Sequence, residues 1–138
     1  MKKVIAHGLI AAVAIVAAGM GAGVVLNAAV PSVAQEYQNL VLFRSGSDPV
    51  MWVFLAQPLL LGIGLAWLWN RTKASWGGVT VAQRATRFAL PLWVIFSLSG
   101  ILMTFSIFPV SLAMILTWLL SSLIQLIVAC FIVVGLNT

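Results

Sequence analysis

The chain has 138 residues, 63% of them apolar and only 7% charged, with a formal net charge of +5. Soluble domains carry about a quarter charged residues, and a water-facing fold of this length could not hide so much apolar surface, so the solvent is lipid. A basic balance would suggest nucleic acid in a soluble protein, but the seven Lys and Arg flank oily segments, as membrane orientation requires, and no nucleic-acid partner is expected.

A hydrocarbon core of about 30 Å needs about 20 residues of apolar helix. Four segments qualify, at 4–30, 50–69, 88–107 and 110–136. They predict an all-α membrane protein, a single domain over 1–138 with four transmembrane helices in an antiparallel bundle. Lys2 and Lys3 precede the first span, and Arg71, Lys73, Arg84 and Arg87 lie between the second and third. Only Arg44 lies between the first and second. The positive-inside rule then places both termini in the cytoplasm. Trp52 suits the outer interface, and Trp67, Trp69 and Trp76 suit the inner one.

In the first span, "AAVAIVAAGMGAG" sets Ala11, Ala14, Ala18 and Ala22 on one face beside Ile15, with Gly19 and Gly23 as a small-xxx-small pair. Such a face packs against a neighbour, either another span or a second copy. His7, near the inner end, is an interfacial histidine rather than a catalytic one. The Lys2-Lys3 start and the Ser32-Val33-Ala34 stretch imitate a signal peptide cleaved after Ala34. The apolar run is about twice the length of a signal core, which favours a retained span.

The outer loop carries a capping-box pattern at Ser32 and Gln35. Val33, Tyr37, Leu40 and Val41 recur at helical spacing, predicting a short amphipathic helix on the outer leaflet between helices 1 and 2. Asp48-Pro49 is an N-cap followed by a first-turn proline, which starts the second span. Within that span, Pro58 frees the carbonyl of Phe54, and Gln57 stands by to satisfy polar groups nearby. The inner loop breaks at Gly77-Gly78, and Thr80 with Gln83 forms a second capping box. Arg84 and Arg87 are then candidate lipid-headgroup contacts. Pro91 should bend the third helix.

The third and fourth spans are joined by a short turn around Phe108-Pro109 and must lie side by side. A turn centred there sets Gly100 opposite Thr117, Ser97 opposite Ser121, Trp93 opposite Gln125, and Thr104 near Ala113. Small and polar faces meet, and helices in lipid associate through such close approach and interhelical hydrogen bonds. Gln125 must point inward, because an amide facing lipid is costly. Packing is the favoured reading of this stripe over a ligand or ion path, since no Asp, Glu, Lys or Arg accompanies it.

Other chemistry lacks its parts. The chain has one His and one Cys, which leaves no bis-histidine haem, disulfide or multi-cysteine metal site. Paired carboxylates and phosphate-cradling loops do not occur, so no enzyme activity, cofactor or metal is expected. The stretches "NLVLFRSGSDPVMWVFLAQPLLLGIGLAWLWN" and "RATRFALPLWVIFSLSGILMTFSIFPVSLAMILTWLLSSLIQLIVACFIVVGL" carry Arg44, Pro49, Arg87, Pro109, Trp118 and Gln125 at spaced positions. In these the chain resembles small four-helix bacterial inner-membrane proteins with no assigned function. The resemblance implies that topology and a bacterial inner membrane. The expected function is a non-catalytic membrane protein acting through helix packing, as a homo-oligomer or as a subunit of a larger membrane complex. The alternative is a small transporter or lipid-binding unit with a polar cavity near Gln57, Trp93 and Gln125. Membrane lipid is a partner in either case.

Overall fold

A computed structural model describes residues 1–39 and 41–137. In chain order it contains α1 (Lys2–Ala29), α2 (Pro31–Glu36), a 3-10 segment (Pro49–Leu55) leading into α3 (Ala56–Thr72), and a 3-10 turn (Lys73–Ser75). Then come α4 (Val81–Leu92), a π-helical segment (Trp93–Leu98), α5 (Ser99–Ile107) and α6 (Leu112–Gly135). Four continuous helical runs are long and apolar enough to cross a membrane: Lys2–Ala29, Pro49–Ser75, Val81–Ile107 and Leu112–Gly135. The chain is a multi-pass, all-helical membrane protein.

Helix ends follow local chemistry. The Asp48 carboxylate accepts from the Val50 amide at 2.8 Å and pairs with Arg44 at 2.9 Å. The Val50 amide first, and Arg44 after it, hold the Asp48 carboxyl below its ordinary range. A lowered folded value means that this cap is at full strength above the ordinary carboxylate range and is lost as pH falls through the lowered value. The 3-10 segment gives way to α-helix at Ala56, so Pro58 falls in the first turn of α3, where its missing N–H is tolerated. Thr80 caps α4, accepting from Gln83 N at 3.2 Å, while the Gln83 amide oxygen accepts from Val79 N at 3.0 Å.

Ser111 caps α6, its hydroxyl accepting from Met114 N at 3.1 Å. Glu36 completes this cap from the far side of the sequence: its carboxylate accepts from Ser111 N at 2.8 Å and from Ser111 Oγ at 2.6 Å. A negative charge at a helix N-terminus is favourable, and this one ties the loop after α1 to the fourth span. The expected Ser32–Gln35 capping box does not form. Proline at position 31 opens α2, so Ser32 lies inside the helix, and the cap position is Val30 with no side-chain bond. The apolar stripe also stops early. Val33 is buried against Val110, Met114 and Ile115, but α2 ends at Glu36 and Val41 is exposed. Leu40, also placed on that stripe, lies outside the described residues.

Packing centres on α1, which lies against both α3 and α6, while α4 lies against α6. One core gathers Ile15, Leu65, Trp69, Phe88, Cys130 and Val133; a smaller one at the other end joins Val33, Val110, Met114 and Ile115. The tightest approach is between α1 and α3. A Cβ on Gly8 would sit 2.6 Å from the Ile63 Cα, and one on Gly62 would sit 2.8 Å from the Ala12 amide nitrogen. Gly19 touches the Gln125 amide, a Cβ there falling 3.1 Å from its Cδ. These glycines allow backbone contact, which in lipid replaces the absent hydrophobic drive. Gly23, the other half of the expected pair, faces open space.

The expected close contact at Gly100 is corrected: this residue is exposed and a side chain added there meets nothing within 4 Å. The overpacking penalty therefore belongs to Gly62. Gly62→Leu should lower stability by about 1 to 3 kcal/mol, whereas Gly100→Leu should change it by less than about 0.5 kcal/mol. Unfolding of the two variants in mild detergent with rising SDS checks this, and equal losses would reject the packing described.

Candidate functional site: a groove between the second and third spans

Helix α4 does not break at Pro91. The proline lies inside the helix, and two residues later the chain winds as π-helix from Trp93 to Leu98. A π turn closes one residue later than an α turn, and one extra residue turns everything downstream by about 100°. That rotation explains why the polar face expected to meet α6 meets it only in part. Upstream, Val81 still lies 3.9 Å from where a Gly135 Cβ would stand. Downstream, Gly100 has turned to open space and Thr104 donates to its own helix, at the Gly100 carbonyl, 3.0 Å.

The hydrogen bonds of the fourth span follow the same economy. Thr117 is buried and donates to the Met114 carbonyl at 2.7 Å. The Gln125 amide donates to Ser121 Oγ at 2.9 Å, one turn back on α6. Hydroxyls in helices commonly satisfy themselves on the preceding turn, so the expected set of interhelical bonds reduces to one residue. Trp93 Nε1 donates across to Ser122 Oγ at 3.0 Å and to the Leu119 carbonyl at 3.3 Å. Trp93 thus pairs with Ser122, not with Gln125 as its register implied.

Away from α6, the second and third spans meet at the Arg-rich end. There the Trp69 and Phe88 rings pack with centroids 5.2 Å apart, and Trp76 joins Phe88 at 5.3 Å. Further along they part, and a cavity of about 480 Å³ opens between α3 and the π segment. Its walls are mostly leucine, with Trp67 and Phe96. Its polar lining is Gln57, Ser97, Ser122 and Gln125. Counted from Pro49, Ile107 and Leu112, the helix ends nearest the second core, Gln57, Ser97 and Ser122 lie about 15 Å in and Gln125 about 20 Å. That is close to mid-depth of a core about 30 Å thick. Ser122 and Gln125 are bonded within the protein. The Gln57 and Ser97 side chains make no hydrogen bond among the described residues, so the Gln57 amide does not serve the Phe54 carbonyl.

The structure therefore brings Gln57, Ser97 and Gln125 to one cavity, with Trp93 just outside it and Gly100, Thr117 and Ser121 elsewhere. Ser122 and Phe96 are lining residues that sequence spacing missed: Phe96 lies in the π segment, whose phase differs, and Ser122 meets Trp93 at a register other than the turn implied. Of the two candidate headgroup arginines, Arg84 turns partly inward, 5.1 Å over the Trp69 ring, while Arg87 stays exposed and donates to the Gly77 carbonyl at 2.9 Å. No group of three or more His, Cys, Asp or Glu side chains that could hold a metal occurs among the described residues. Set against known families, curated proteins and solved structures, the chain shows no match at any of the three levels.

A double-mutant cycle tests the Trp93 contact. Trp93→Phe should destabilise more than Ser122→Ala, since the Leu119 carbonyl remains as a second acceptor for the indole. The coupling energy between the two should be about 0.6 kcal/mol, an average membrane hydrogen bond. Zero coupling in detergent unfolding would remove the contact from the account.

Proposed function

We propose that this protein is a non-catalytic bacterial inner-membrane protein that holds a membrane-borne amphiphile in the groove between its second and third spans. The carrying observation is the mid-depth cavity with two unpaired polar side chains, Gln57 and Ser97. An unpaired amide in hydrocarbon costs several kcal/mol, roughly. A ligand with an apolar body and one hydroxyl or carbonyl group at that depth relieves the cost. The π segment supports the reading further, as such turns in membrane and soluble helices often sit at functional sites.

Both termini are placed in the cytoplasm, in an antiparallel four-helix bundle with α2 at the outer interface. The distribution of Lys and Arg supports this orientation, as six of the seven lie at the end taken as cytoplasmic. The resemblance to small four-helix bacterial proteins supports the location. Neither an enzyme activity nor a cofactor forms part of the proposal, and lipid is the one partner it requires. Action through assembly with further copies or a larger complex is the weaker reading. It draws on the small-residue faces, the missing catalytic chemistry and the short loops, but on α1 Gly8 and Gly19 contact Ile63 and Gln125 of the same chain. A transport path would need a second copy, because four helices are few to enclose one.

The test uses the full-length protein in phosphatidylcholine nanodiscs. Its probe is hexadecanol carrying a photoreactive diazirine beside the hydroxyl, compared with the same alkane lacking the hydroxyl. Label should concentrate on α3 near Gln57 and on the π segment, and only for the alcohol. Gln57→Leu combined with Ser97→Ala should cut that labelling roughly fivefold to tenfold, as two bonds of about 0.6 kcal/mol each imply. Equal labelling by both probes would refute the groove reading. In intact cells, Ser45→Cys should react with an impermeant maleimide from outside, since the native Cys130 is buried. Labelling only after the inner face is exposed would reverse the orientation.

A further inference from the structure

A second cavity, of about 580 Å³, lies between α1 and α3 at the Arg-rich end and is lined by Val4, Ile5, Leu60, Ile63, Asn70 and Arg71 among others. Its size falls in the range of small-molecule sites, about 300 to 1,000 Å³. Its walls are apolar except at the mouth, where Asn70 and Arg71 stand. Arg71 is held there by its own helix: the guanidinium carbon lies 5.9 Å from the Trp67 ring centroid, one turn back. Both Asn70 and Arg71 are exposed, and neither makes a hydrogen bond or ion pair among the described residues.

Charge decides what fits that mouth. The chain has two acidic residues, Glu36 and Asp48, and both lie toward the other end. Glu36 is engaged by Ser111 and Asp48 by Arg44. Among the described residues, Lys2, Lys3, Arg71, Lys73, Arg84 and Arg87 therefore share one end of the molecule with no Asp or Glu side chain beside them. Arg84 has a partner in the Trp69 ring and Arg87 one in the Gly77 carbonyl. Arg71 has none that is anionic, while Lys2 and Lys3 adjoin Met1, which also lines the cavity. No Asp or Glu among the described residues supplies a counter-charge to Arg71, and the apolar cavity behind it suits an anion with an acyl chain attached.

We propose that this cavity binds an anionic phospholipid, its phosphate on Arg71 and Asn70 and one acyl chain lying along Ile5, Leu60 and Ile63. The site shares Leu60, Gly64 and Trp67 of α3 with the groove between the second and third spans, but opens toward α1 and does not rest on the reading of that groove. The shared chemistry is phosphate recognition by a planar guanidinium, which offers paired donors to two oxygens.

Native mass spectrometry of the full-length protein in mild detergent tests the assignment, with phosphatidylglycerol, phosphatidylcholine or inorganic phosphate added. Phosphatidylglycerol should be retained in preference to phosphatidylcholine, and inorganic phosphate should not displace it. Arg71→Ala should reduce that preference about fivefold, the size expected for one basic side chain near an anionic lipid, and Arg71→Lys, which keeps the charge but not the paired donors, should reduce it by less. Ile5→Trp, which fills the cavity from α1 and leaves every charge in place, should reduce retention of phosphatidylglycerol as well. This second variant also decides the matter should Arg71→Ala fold poorly. Equal retention of the two lipids, or unchanged retention in both Arg71→Ala and Ile5→Trp, would overturn the proposal. Displacement by inorganic phosphate alone would make the site one for free phosphate and overturn it equally.

Discussion

Backbone contact between α1 and α3 is the constraint on which the other contacts depend. In lipid there is no hydrophobic force to bring two oily helices together, so association rests on fit. Gly8 and Gly62 supply that fit, each leaving no room for a Cβ against the other helix. With α3 held on one side of α1 and α6 on another, through Gly19 and Gln125, the second span is committed to α1. The third span is committed to α6. These two spans then meet only near Trp69 and Phe88, and space remains between them further along. The groove is thus a consequence of where the glycines are.

The π segment decides what lines that space. A straight α-helix through residues 93–98 would have carried Ser97 and Gly100 toward α6, into a polar interface of ordinary kind. Winding one residue wide turns Ser97 and Phe96 into the groove and leaves Trp93 to bond α6, at Ser122 and at the Leu119 carbonyl. Such a departure weakens the regular backbone ladder, and Pro91 nearby has already removed one donor from it. A polar wall at mid-depth with two unpaired groups is costly for a protein whose only task is to pack.

Much of the fold was legible in the sequence. Hydropathy and length identify the four spans, with the helices of the second and third running six or seven residues further at one end, because a bilayer imposes a minimum on helix length that soluble folds do not share. Asp48-Pro49 and Thr80 mark helix starts correctly, since caps are local chemistry. Phase was not legible beyond Trp93: periodicity assumes 3.6 residues per turn, and nothing local announces a π turn. Gly100 was misplaced for that reason; Ser121 instead accepts from Gln125 on its own helix, and Ser122, not Gln125, meets Trp93. The Glu36–Ser111 cap lay beyond reach for a different cause, since it joins residues far apart in the chain. Gln57, Ser97 and Gln125 stood out because amides and hydroxyls are conspicuous among leucines. Their convergence on one cavity needed three dimensions.

The central claim is that the second and third spans stand apart at mid-depth around a polar-walled groove. A structure determined in a lipidic mesophase at a resolution that shows bound lipids tests it most directly. The account predicts an elongated non-protein feature between α3 and residues 92–97, with a polar atom within hydrogen-bond reach of Gln57 or Ser97. Side chains of the two spans interdigitating along their whole length, with Gln57 bonded inside the protein, would contradict it.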